Sequence, residues 1–155
     1  MGGLDAPGLM YDYAGQVDRA RAACDISLGK CPTALVERNL GIIAGRQGKK
    51  DEAAKRLLRA SRMRPELHPL AVECGQALLA AGRAKDWLKR VTDLPEDIRC
   101  SGRIRVLSAR ASLETYRLHE VWKFFEDPPD ISDLREGETS LSDLWFDFQE
   151  KRIST

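Results

Sequence analysis

The sequence predicts an all-α protein, a solenoid of helical pairs closed by a C-terminal capping helix. Three observations carry that expectation. Alanine, leucine and arginine recur while aromatic residues make up only 6% of the chain, a balance that favours helices over sheets. Small residues return in two phased series, Gly8, Gly41, Gly75 and Ala109 in one and Gly15, Gly48 and Gly82 in the other, at intervals of 33 or 34 residues, with Tyr116 closing the second series. After a proline-rich stretch, the last segment carries its apolar residues mainly on one helical face.

At 155 residues the chain has the length of one domain, able to bury about 68–70% of its unfolded surface. It is 43% hydrophobic and 32% charged, with 25 basic and 24 acidic residues and a net charge of +1, which argues against disorder and against a wholly basic nucleic-acid module. No apolar run reaches the eighteen or so residues of a spanning helix, and the first fifteen residues lack the basic start and apolar stretch of a signal peptide. These features predict a soluble, cytoplasmic protein with no membrane partner.

Taken in order, residues 1–127 divide into repeat units of about 1–33, 34–67, 68–101 and 102–127, and residues 128–155 form an acidic loop and the capping helix. In the first unit Pro7-Gly8 interrupts the first helix after a Gly2-Gly3 start, so that helix is short or frayed. The best-formed unit begins with a helix over about Ala34 to Gln47, carrying Leu35, Leu40, Ile42 and Ile43, and Gly48 supplies the left-handed cap that reverses the chain. Its second helix starts at Asp51, bears Ala53, Leu57, Leu58 and Ala60, and ends near Arg64 before Pro65. Gly41 and Ala53 are small where the two antiparallel helices approach most closely. The third unit keeps Cys74-Gly75, Leu78 and Gly82 but places Trp87 where a small residue belongs, and its second helix is short because of Leu94-Pro95. The fourth is marked by Ala109, Leu113, Val121 and Phe125. Pro128, Pro129 and a run of acids then give a loop, and Ser140 with Asp143 stands in capping-box spacing at the start of a helix ending near Ile153. A solenoid's end repeat lacks a neighbour on one face, and Leu141, Leu144, Trp145 and Phe148 suit a helix that covers it.

The spacing of Leu40-Gly41, Ala44, Gly48, Ala53, Leu57, Ala60 and Pro65 resembles the tetratricopeptide repeat, over residues 8 to 125. The resemblance implies a right-handed α-α superhelix that docks proteins or domains and has no chemistry of its own. The stretch Asp133-Leu134-Arg135-Glu136-Gly137-Glu138 and Ser140-Leu141-Ser142-Asp143-Leu144-Trp145-Phe146 also resembles the end of certain large bacterial proteins in which similar repeats follow a β-sandwich region of uncertain role. On that likeness the chain is the tail of a longer protein.

Chemistry-bearing residues have structural explanations. Cys24, Cys31, Cys74 and Cys100 form no C-x2-C pair; Cys24 and Cys74 occupy apolar repeat positions, whereas Cys31 and Cys100 lie near loops, so neither a zinc site nor disulfides are expected. His68 and His119 stand at helix starts away from ligand-like partners. The motifs G-x-S-x-G, H-E-x-x-H, the P-loop and G-x-G-x-x-G are absent, and the carboxylates from Glu126 to Glu138 read as a solvated loop. No catalytic residue, metal or cofactor is expected, and the chain is not read as an enzyme.

The charges are unevenly placed. Arg46, Lys49, Lys50, Lys55, Arg56, Arg59, Arg62 and Arg64 make a basic middle, while acids crowd the tail; no aromatic residue interleaves the basic run, so nucleic-acid stacking is unsupported. In the superhelix that the resemblance implies, the first helix of each pair lines a concave groove. That register places there Arg38, Asn39 and Arg46, then Glu73 and Gln76, then Arg103, Arg110 and Glu114. The groove is polar and net basic, and arginines on rigid helices suit an acidic protein or peptide segment. Repeats that grip chaperone tails use a lysine and asparagine set; Asn39 matches one position and Arg38 is a conservative replacement, but Glu73 and Ile42 depart from it, which speaks against a chaperone tail.

In the last helix Phe146 and Ile153 point away from the capping face. Either the preceding loop covers them or a second chain does, as in a homodimer through this helix. The alternative functional reading is an accessory docking domain of a larger bacterial carbohydrate-active enzyme, although Trp87, Trp122 and Trp145 each have a packing explanation rather than the exposure of a sugar platform. A third is a regulatory domain whose acidic tail occupies its own basic surface.

Overall fold

A computed structural model describes residues 18–23, 26, 33–130 and 140–154. Among them the regular structure is all-helical, with no strand, and no helix is long and apolar enough to cross a membrane. The elements are α1 (Ala34–Arg46), α2 (Lys50–Met63), α3 (His68–Ala80), α4 (Ala84–Val91), α5 (Glu96–Arg99), α6 (Gly102–Glu114), α7 (Leu118–Glu126) and α8 (Leu141–Ser154), preceded by helical residues 18–23. The expected interruption at Pro7-Gly8, and Cys24 and Cys31, lie outside the described residues.

A single period runs through these boundaries. α1, α3 and α6 are each 13 residues long and begin 34 positions apart, and α2, α4 and α7 also start 34 apart. The caps Gln47, Ala81 and Thr115 donate their N–H to the carbonyls of Ile43, Ala77 and Ala111 at 3.0–3.1 Å. One residue further on, Gly48, Gly82 and Tyr116 take φ of 77°, 71° and 58°. Glycine reaches this left-handed region without steric cost, whereas Tyr116 does so against its Cβ. Lys49 N–H to Ala44 O at 2.9 Å and Arg117 N–H to Ser112 O at 2.8 Å complete a Schellman-type closure at the first and third of these turns.

The chain forms two compact units, Met1–Ala81 and Gly82–Thr155. In the first, Thr33 caps α1 by accepting the Val36 N–H at 3.2 Å, and α1 and α2 run antiparallel. A Cβ placed on Gly41 would lie 2.8 Å from Leu57 Cγ and one on Gly45 3.8 Å from Ala53 Cβ, so small residues set how closely the helices approach, as the spacing predicts. Near the other end, the buried Glu37 carboxylate takes a hydrogen bond from Arg56 at 3.2 Å. Ala34, Ala60 and Leu70 join the start of α1, the end of α2 and the start of α3 in one cluster. Leu35 does not join the core as expected: it is 62% exposed. At 3.6 residues per turn it stands about 180° around the helix from the fully buried Ala44.

In the second unit Trp87 is fully buried and α4 is short, with 8 residues. The short helix α5 after Pro95 was not expected from the sequence; the first-turn acids Glu96 and Asp97 are its helix-start signal. Ser140 accepts the Asp143 N–H at 3.1 Å to cap α8. Leu144 and Phe148 of that helix enter a core with Val106, Leu113, Val121 and Phe124, while Leu141 and Trp145 pack at its edge. Trp122 is 42% exposed, donating Nε1–H to Glu126 at 2.9 Å, with its ring centroid 6.3 Å from that of Phe148 and the two rings tilted by 42°. Phe146 is 69% exposed and Ile153 is exposed too, in keeping with their predicted orientation; the acidic stretch 131–139 lies outside the described residues.

Candidate functional site

The predicted partner-binding residues fall in both units. In the first, Arg38 and Glu73 meet across α1 and α3. Arg38 donates Nε–H to Glu73 Oε2 at 2.6 Å and Nη2–H to Oε1 at 2.7 Å, a fork-to-fork pair half-shielded from water. Donating these hydrogen bonds to the Glu73 carboxylate raises the Arg38 pKa above its ordinary value. Asn39 sits one residue further around α1 and is only 8% exposed, with its Oδ1 buried and lacking a hydrogen-bond donor. Arg46 and Gln76 are exposed on the same two helices.

In the second unit Arg103 and Arg110 are half-buried on α6. Arg110 Nη1–H donates to Asp147 Oδ2 of α8 at 2.6 Å, so the capping helix brings its own carboxylate to a predicted site residue. Lys151 adds a hydrogen bond to Leu113 O at 3.2 Å and lies 4.4 Å from the Tyr116 ring centroid. Glu114 is exposed. Both internal pairs show what these arginines do chemically, which is to hold a carboxylate bidentately or at short range on a rigid helix.

The remaining candidates are placed simply. Cys74 is buried and Cys100 exposed; His68 is half-buried and His119 exposed. Among the described residues, no group of three or more His, Cys, Asp and Glu side chains converges.

One feature escaped the sequence reading. A cavity of about 520 Å³ opens in the first unit where α1 begins, α2 ends and α3 begins, lined by Ala34, Leu35, Met63, Leu67, Pro69 and Leu70, with Thr33, Arg38 and Arg64 also on its wall. Arg64 pairs with Glu66, whose carboxyl this hydrogen bond holds below the usual glutamate range. The signal for it was available, since 3.6 residues per turn puts Leu35 on the Arg38 side of α1 and away from the core. Comparison with known proteins finds no matching family model and no matching curated protein.

Proposed function

We propose that the chain is a non-catalytic helical-repeat module of the tetratricopeptide type, which binds acidic protein segments through the polar faces of the first helices of its pairs. The 34-residue recurrence of helix starts, helix ends and left-handed turns supports this reading. Stacked units of this kind create extended binding surfaces rather than enclosed reaction sites. Within each unit the polar faces carry arginines, Arg38 and Arg46 in the first and Arg103 and Arg110 in the second, with Asn39 and Gln76 beside those of the first.

The test is fluorescence anisotropy with a labelled, amidated peptide of aspartate, glutamate, serine and glycine. The full chain should bind it with an affinity that falls as salt rises, and joint Arg46→Glu and Arg103→Glu substitution should weaken binding severalfold while circular dichroism stays unchanged. Equal affinity of the native chain for a lysine-substituted control, or no loss in the double variant, overturns the assignment.

A further inference from the structure

We propose that the cavity at the shared end of α1, α2 and α3 is an anchor pocket for an internal protein segment in which bulky apolar side chains are flanked by carboxylates. The inference deepens the function proposed above and rests on it for the acidic character of the partner.

The apolar half of the argument is the lining. Leu35 and Met63 are 62% and 43% exposed at the mouth, and Leu67 is exposed beside them, although each could have been polar at no cost to the core. Together with Ala34 and Leu70 they make a concave apolar surface rather than scattered exposed side chains. Its volume of about 520 Å³ lies within the range of ligand pockets, but small-ligand sites enclose most of their ligand, and a mouth this open suits side chains offered by another chain. The thioether of Met63 adapts its shape to what enters.

The charged half comes from the rim. Arg38 and Arg64 are the charged residues of the cavity wall, while Arg56 and Arg59 of α2 lie against Glu37. Arg64 stands on the cavity wall, and its partner Glu66 is an exposed carboxylate two residues away. Such an exposed pair is weak, so an incoming carboxylate displaces Glu66 at little cost. Arg38 is fixed at the rim by Glu73 through Nε and Nη2, an arrangement that does not engage Nη1. The N-terminal ends of α1 and α3 open at the same end and add partial positive charge. A purely acidic segment leaves the apolar lining wet, and a purely apolar one leaves the cationic rim unused.

The experiment uses the full chain and three labelled, amidated peptides in anisotropy: the acidic peptide above, the same peptide with a central leucine–phenylalanine pair, and that second peptide with its acids replaced by lysine. The second should bind at least tenfold more tightly than the first and than the third. Leu35→Ser and Met63→Ser, both at exposed positions and checked by circular dichroism, should bring the second peptide down to the affinity of the first and leave the first unchanged; Arg64→Glu should weaken the second. If the first and second bind equally, or Leu35→Ser changes nothing, the pocket is overturned while the acidic-segment reading stands. If the third equals the second, the carboxylate requirement fails. Tighter binding when the leucine–phenylalanine pair ends in a free carboxylate overturns the internal-segment assignment, and failure of all peptides to bind overturns both readings.

Discussion

Asn39 keeps its amide oxygen buried with no donor on α1. An unsatisfied buried acceptor costs about 1–3 kcal/mol, so Asn39→Leu should raise the unfolding free energy by about 1 kcal/mol in a denaturant titration. If Asn39 is a partner contact, the same variant should lose affinity for the acidic peptide as it gains stability. A loss of stability would overturn the view that the unpartnered oxygen is the dominant cost at this position. Tyr116 shows the opposite bargain. It occupies the left-handed turn that Gly48 and Gly82 occupy elsewhere, and its ring lies against Lys151, so the steric cost of the turn is set against a contact with α8.

The helical residues 18–23 are tied to α2 by charge, through Arg21 and Glu52, with Gln47 taking a further bond from Arg21 at 3.4 Å. The Arg21 hydrogen bond holds the Glu52 carboxyl below the usual glutamate range. A depressed carboxyl stabilises the fold fully above its unfolded value, about 4.3, and that contribution is lost as pH falls further through the folded value. The melting temperature should therefore decline below about pH 4.3, and Glu52→Gln should flatten part of that decline; an unchanged slope would remove Glu52 from the account. The helices themselves were legible because Gly48, Gly82 and Pro65 are local signals with local effects. The Arg38–Glu73 and Arg110–Asp147 bonds join residues 35 and 37 positions apart and depend on how two helices are rotated against each other, which spacing alone does not give. Leu35 was misplaced because its apolar character was read without its helical angle, and the cavity it lines went unseen for the same reason.

At the scale of the whole chain, the period of 34 was visible in the glycines before it was visible in helix boundaries. The division into units was not. It falls at Ala81 and Gly82, within the stretch that the repeat pattern treats as one unit, because a sequence period records similar local turns and compactness records which helices share a core. The C-terminal helix α8 shares its core with α6 and α7, through the Leu144 and Phe148 face that the sequence assigns to covering the last pair. The placement of the tryptophans has a spectroscopic consequence. Trp87, Trp122 and Trp145 all belong to Gly82–Thr155, and Met1–Ala81 contains none. Indole emission thus reports on the second unit alone, whereas far-ultraviolet dichroism reports on both. In a guanidinium titration the two signals should give separate curves, and superimposable curves would show that the units unfold as one. The first unit gives no indole emission, so a single Leu67→Trp substitution makes its cavity the one place there with an indole, and a segment that enters is read in the shift of that added emission.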